Sequence, residues 1–182
     1  MTPALPSAVL RFWFAELEPR QWWGKDPELD REIEERFGSV HRKACRKGLA
    51  AWRKGARGRL AEVIVLDQFS RNIHRGRPEA FGQDKLALAL AEEAVRQGLD
   101  QALEMQERAF LYMPFMHSES RETHRTAFSL FESLGSPPHL RSELRHKAIV
   151  DRFGRYPHRN TVLGRASTPE EEVFLKEPGS SF

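Results

Sequence analysis

With 182 residues, the chain is long enough to bury about two-thirds of its unfolded surface in one core, and its 40% hydrophobic and 30% charged residues are an ordinary globular balance. No apolar run approaches the ~18 residues of a membrane span. A lone Cys45 excludes an internal disulfide, and nothing before Arg11 reads as a signal peptide, so a reducing cytoplasm is the expected compartment.

Leu10, Trp13, Phe14 and Leu17 follow the spacing of an amphipathic helix, with Ser7 as the expected N-cap. Asp26-Pro27-Glu28 starts a second helix, whose stripe of Leu29, Ile33, Phe37, Val40 and Ala44 runs out near Gly48. Leu60 to Ile73 is apolar on more than one side, as a central element would be. Asp84 is the expected cap of a fourth helix, which stops at Gly98. A fifth, from about Glu104, must kink or end at Pro114, since proline removes an amide donor and crowds the preceding turn. Ala127, Leu130, Phe131 and Leu134 mark a sixth, closed by Gly135. A seventh follows Pro137-Pro138, places His146, Ile149, Val150 and Phe153 on one face and ends at Gly154. Thr168-Pro169-Glu170-Glu171 forms a capping box for a short last helix.

Period-two alternation and hairpin dipeptides are absent, so the fold class is all-α, about seven or eight helices whose short connections favour antiparallel α-α hairpins. No 34-residue or similar repeat is present. The chain reads as one domain over residues 1–176, with a tail at 177–182 expected to fray.

The overall net charge is only +3, yet between Arg36 and Ala61 stand nine Lys or Arg and no acid. Phosphate contacts or a solvated helix end would both account for that block. Gly-rich phosphate loops, paired cysteines and the common hydrolase motifs are missing, and no cofactor or metal is expected. Any chemistry must be assembled across helices.

At 100° per residue, Asp67 and Arg71 share the inward face of the third helix with Leu60, Val63 and Ile64. They form either an internal ion pair or part of a pocket wall. If Arg71 were left unpaired, removing Asp67 would cost roughly 3–5 kcal/mol. His117-Ser118-Glu119 follows the Pro114 break, where His117 and Glu119 could act as acid and base and Ser118 could instead cap a helix. His124 and His146 sit on apolar stripes and read as core histidines. Arg152, Arg155, His158, Arg159 and Asn160 pass through a helix end into a proline-fixed turn, an arrangement suited to capturing a carboxylate or phosphate, or to pairing with internal acids.

Leu66-Asp67-Gln68-Phe69-Ser70-Arg71-Asn72-Ile73, Met116-His117-Ser118-Glu119 and Arg152 through Asn160, continuing to Leu163-Gly164-Arg165, together resemble a bacterial family known as domain of unknown function 924. Val9 through Phe14, Ala80-Phe81 through Asp84, and Ser167 through Glu171 match its pattern as well. The resemblance implies an all-α fold similar to a right-handed tetratricopeptide array and supplies no activity, cofactor or partner. Ser70 departs from the proline of the family's block.

The residues point first to a protein that binds an anionic small molecule, a phosphate or carboxylate, in an interhelical pocket, with a hydrolase or lyase conceivable. Asp67, His117, Glu119 and His158 are the catalytic candidates. Arg71, Asn72, Arg152, Arg155, Arg159 and Asn160 are the ligand-binding candidates. The alternative is a tetratricopeptide-like interaction module for a peptide or RNA.

Overall fold

Caps and prolines fix where the helices of this chain begin, and the computed structural model, which describes residues 5–182, shows them in the expected order. The elements are α1 (Pro6–Arg11), running into a π-helical turn (Phe12–Glu16), α2 (Pro27–Cys45), α3 (Ala56–Ile64), α4 (Ser70–Ile73), α5 (Asp84–Arg96), α6 (Met105–Met116), α7 (Arg121–Ser133), α8 (Pro137–Phe153) and α9 (Pro169–Phe174). A second π-helical turn, Val65–Phe69, joins α3 to α4 in one rod. Short 3-10 turns fill several connections, and no strand occurs among the described residues. The fold is all-α.

Local chemistry accounts for most boundaries. The Asp26 carboxylate accepts from the amides of Glu28 and Leu29, and Thr168 and Glu171 close their capping box. Gly154 adopts φ 70°, the left-handed conformation that ends α8. Pro114 lies inside α6, which runs two residues past it to Met116. Two assignments change. Leu5 precedes Pro6 as the N-cap, so Ser7 lies inside α1 rather than capping it. α2 stops at Cys45, where Lys47 at φ 60° reverses the chain before Gly48 is reached.

The core forms around α3 and the π turn that follows it. Leu60 through Ser70 are all buried, because α1, α2, α5 and α6 pack around this rod. Phe12, Trp13, Phe37, Phe69 and Phe110 interlock there, with ring centroids 5.1–6.2 Å apart. At Gly58 an added Cβ would lie 1.9 Å from the Trp52 carbonyl oxygen, so only glycine lets the preceding turn close onto α3. A smaller cluster of Ile149, Val150 and Tyr156 holds the α8–α9 end. The tail, expected to fray from Glu177, instead folds back: Ser180 is buried and the Phe182 ring rests on His146, centroids 3.6 Å apart.

Candidate functional site

The π turn sets up the site. Because it widens the helix over Val65–Phe69, the 100° reading of this stretch does not hold, yet Asp67 and Arg71 still meet, Arg71 Nη1 lying 3.1 Å from Asp67 Oδ1. Asp67 is 1% exposed and fully engaged. It accepts from the Gln68 side-chain amide at 2.6 Å and from His117 Nδ1 at 2.7 Å. Burial works to raise its carboxyl, but the charge of Arg71 and the hydrogen bonds from His117 and Gln68 hold it well below the usual carboxylate range. Asp67 is therefore an anion, His117 Nδ1 must donate to it, and Nε2 is left as the basic nitrogen. His117 itself lies below its ordinary value, lowered first by burial and then by Arg71, against the pull of Asp67.

Asp84 supplies what the sequence reading missed. Read as a cap, it is instead the first residue of α5, and its carboxylate takes both Arg71 nitrogens at 2.9 and 3.1 Å and Arg159 Nη1 at 3.1 Å. Arg159, 5% exposed, also donates to the His117 carbonyl at 2.9 Å. Half-buried Arg71 and buried Arg159 thus lean on the two carboxylates, Arg71 on Asp67 and Asp84 and Arg159 on Asp84. The signal available was the position of Asp84 inside a matching family block.

The two guanidiniums and His117 border a cavity of about 670 Å³ between the Pro19–Lys25 segment, α4, α6 and α8. Arg71, Asn72, His117, His158 and Arg159, all named from sequence, line it. So do Lys25, Arg75 and three residues of aromatic character, Trp22, Trp23 and Phe81, which were not named as site residues. Burial first, then Arg159, lowers His158 to about 4, and its Nδ1 has no partner among the described residues, nor has Arg159 Nε. His146, read as a core histidine, lines the cavity as well; burial and then His117 lower it to about 3. Asn72 and Arg75 together grip Asp30 of α2 at 2.6–2.8 Å.

The other candidates lie outside the larger cavity, each held by an internal ion pair or hydrogen bond. Glu119 accepts from both Arg165 guanidinium nitrogens at 2.7 and 2.9 Å and from the Tyr156 amide at 2.7 Å, and it borders a second cavity of about 400 Å³. Burial raises its carboxyl, but these donors hold it below the ordinary value, so it is a poor acid. Arg155 clamps Glu171 with two bonds of 2.6 and 2.7 Å, and Asn160, fully buried, joins Glu171 to Ser167 and Arg165. Arg152 pairs with exposed Glu170. Arg155, Asn160 and Arg165 are the rivets of the α8–α9 connection, and Ser120, not Ser118, caps α7. His124 is a satisfied core histidine, bonded to Glu143 at 2.7 Å and to the Ser118 carbonyl at 2.9 Å.

In the basic block, Arg36, Arg53, Arg57 and Arg59 are already paired with carboxylates, leaving Arg42, Lys43, Arg46, Lys47 and Lys54 without one among the described residues. No three His, Cys, Asp or Glu side chains among the described residues are grouped to hold a metal ion, and no described helix is long and apolar enough to cross a membrane.

An all-helical protein with an aspartate-backed histidine and a guanidinium pair facing one cavity is the class that fold and site define. The chain belongs to the family described as bacterial protein of unknown function (DUF924), which matches residues 9–179. It is similar, at 39% identity and a TM-score of 0.89, to the solved structure of a protein of unknown function from Agrobacterium tumefaciens, over 94% of this chain and 96% of that one. No curated protein matches the sequence.

Proposed function

We propose that the protein binds a phosphate or carboxylic ester, or the phosphate or carboxylate anion released from it, in the larger cavity and hydrolyses the ester to that anion and an alcohol with His117 as general base. One observation carries the reading. The cavity is bordered by four cationic side chains, Lys25, Arg71, Arg75 and Arg159, and four histidines, and by no Asp or Glu side chain among the described residues. The balancing acids, Asp30, Asp67 and Asp84, stand behind the guanidiniums. An entering anion therefore meets cations and ring nitrogens first, and its volume suits a ligand of drug-like size.

His117 is neutral near pH 7, and Asp67 fixes its tautomer, so Nε2 can take a proton from a water molecule while Asp67 stabilises the imidazolium that forms. Arg71 and Arg159 are the groups placed to stabilise charge that develops on the substrate. Ser142, the hydroxyl side chain on the cavity wall, donates to the Pro138 carbonyl, which favours water over serine as nucleophile.

Calorimetry with inorganic phosphate and acetate tests binding. Wild type should release heat that weakens as salt rises, Arg75→Ala should lose several-fold in affinity, and Arg152→Ala, remote from the cavity, should bind like wild type. Turnover of p-nitrophenyl phosphate and p-nitrophenyl acetate tests the chemistry, where His117→Gln should lose about 10²–10⁴ in rate and still bind. Equal heats from wild type and Arg75→Ala, or none from either, would overturn the anion reading.

A further inference from the structure

The apolar part of the same cavity is unlike the rest of the protein's interior. The core is built largely of Leu, Ile and Val, yet none of these lines the cavity among the described residues. Besides Pro19, Ala80 and Pro138, its apolar wall is Trp22, Trp23, Phe81 and Phe182 with Met113 and Met116, and the four imidazoles add further flat rings. Branched aliphatic side chains fit an acyl chain; flat rings, thioethers and guanidiniums fit the face of another ring.

Two features show where such a ring would lie. One face of the Trp23 indole stacks on Phe110, centroids 5.8 Å apart and planes at 9°, while the residue stays 59% exposed. A large indole surface is therefore open beside the cavity. At the charged end, the Phe81 ring lies against both guanidiniums, 4.6 Å from Arg159 Cζ and 5.7 Å from Arg71 Cζ. Aromatic rings thus line the cavity both at the open Trp23 and beside the arginine pair.

Resting on the reading that the cavity binds an anion, we infer that its ligand is an anion carrying an aromatic or heteroaromatic ring, the ring stacked on the aromatic wall at Trp23 and the anionic group facing Arg71, Arg159 and the histidines. Specificity comes from the ring, since every small phosphate or carboxylate would satisfy the cations alike. Trp23 acts in binding and has no part in the proton transfer.

The test is calorimetry on the full chain with phenyl phosphate, hexyl phosphate, inorganic phosphate and neutral phenol, repeated with benzoate and hexanoate, on wild type and Trp23→Ala. Exposure of Trp23 makes the variant a mild one for folding, which a thermal melt checks. Phenyl phosphate or benzoate should bind wild type about tenfold tighter than its hexyl counterpart, the range of one good aromatic contact, and Trp23→Ala should abolish that margin while inorganic phosphate binds unchanged. Alkyl and aryl anions binding equally, or an aryl preference that survives Trp23→Ala, overturns the ring assignment and leaves the anion reading standing. Phenol binding as well as phenyl phosphate, with no heat from inorganic phosphate, overturns the anion reading and leaves the ring. Silence from every probe overturns both.

Discussion

Asp67 is the residue on which the site turns, because it is buried with three donors and no water-facing surface. Had Arg71 depended on it alone, its removal would orphan a buried guanidinium at roughly 3–5 kcal/mol. Asp84 also holds Arg71 through two bonds, so that cost is reduced. What Asp67→Ala leaves unpaired is the Gln68 amide and the His117 Nδ1–H, each a buried donor worth about 1–3 kcal/mol when stranded. The expected destabilisation is about 2–6 kcal/mol for the two donors together, read from denaturant midpoints of wild type and variant. An unchanged midpoint would mean that the carboxylate is not the acceptor holding His117. Pairing of the same kind holds Glu119, Arg155 and Asn160 outside the larger cavity: Arg165 grips Glu119, and Glu171 takes Arg155 and Asn160, partners that residue types alone do not reveal.

At the scale of an element, the α3–α4 rod departs from regular helix where it becomes useful. The π turn over Val65–Phe69 disturbs the ordinary carbonyl pairing, and the Ser70 hydroxyl answers by donating to the Leu66 carbonyl at 2.6 Å. His41 Nε2, 2.8 Å away, donates to the same hydroxyl and ties α2 to the rod. Ser70 stands where the resemblance carries proline, so in this chain a polar clasp occupies that position. Ser70→Ala should cost about 1–3 kcal/mol, since a buried imidazole N–H loses its acceptor. Urea unfolding of the variant decides it, and wild-type stability would show that the clasp contributes nothing.

For the whole molecule, buried histidines set the response to acid. Burial lowers His41 to about 4 and His146 to about 3, well under the ~6.5 of an unfolded chain. Their folded pKa values are depressed, so below about pH 6.5 the unfolded chain takes up protons that the folded chain refuses. Stability is full above that pH and falls as pH drops toward the folded values, by up to about 1.4 kcal/mol per pH unit for each group. His158 acts in the same direction. Asp67, with a depressed carboxyl, adds its own loss only below about pH 4, where the unfolded carboxylate takes up its proton. Urea midpoints should therefore fall between pH 7.5 and pH 5, and His146→Asn should flatten the slope. A midpoint that stays level or rises would refute the burial of neutral imidazoles.

Sequence by itself determined the helices, because their information is local: Asp26, Pro27, Thr168, Gly154 and the apolar stripes act within a turn or two of where they stand. It also marked Asp67, Arg71, His117, His158 and Arg159, since charged groups at helix junctions and on inward faces need partners. Which partner each one takes was decided only by tertiary structure. Asp84 meets Arg159 across 75 residues, Glu119 meets Arg165 across 46 and His117 meets Asp67 across 50, and no periodicity carries such distances. The π turn, which regular 100° geometry cannot anticipate, and the gathering of Trp22, Trp23, Phe81 and Phe182 from three stretches of chain around one cavity follow from how the helices pack, where burying apolar surface and satisfying each buried charge must be achieved together.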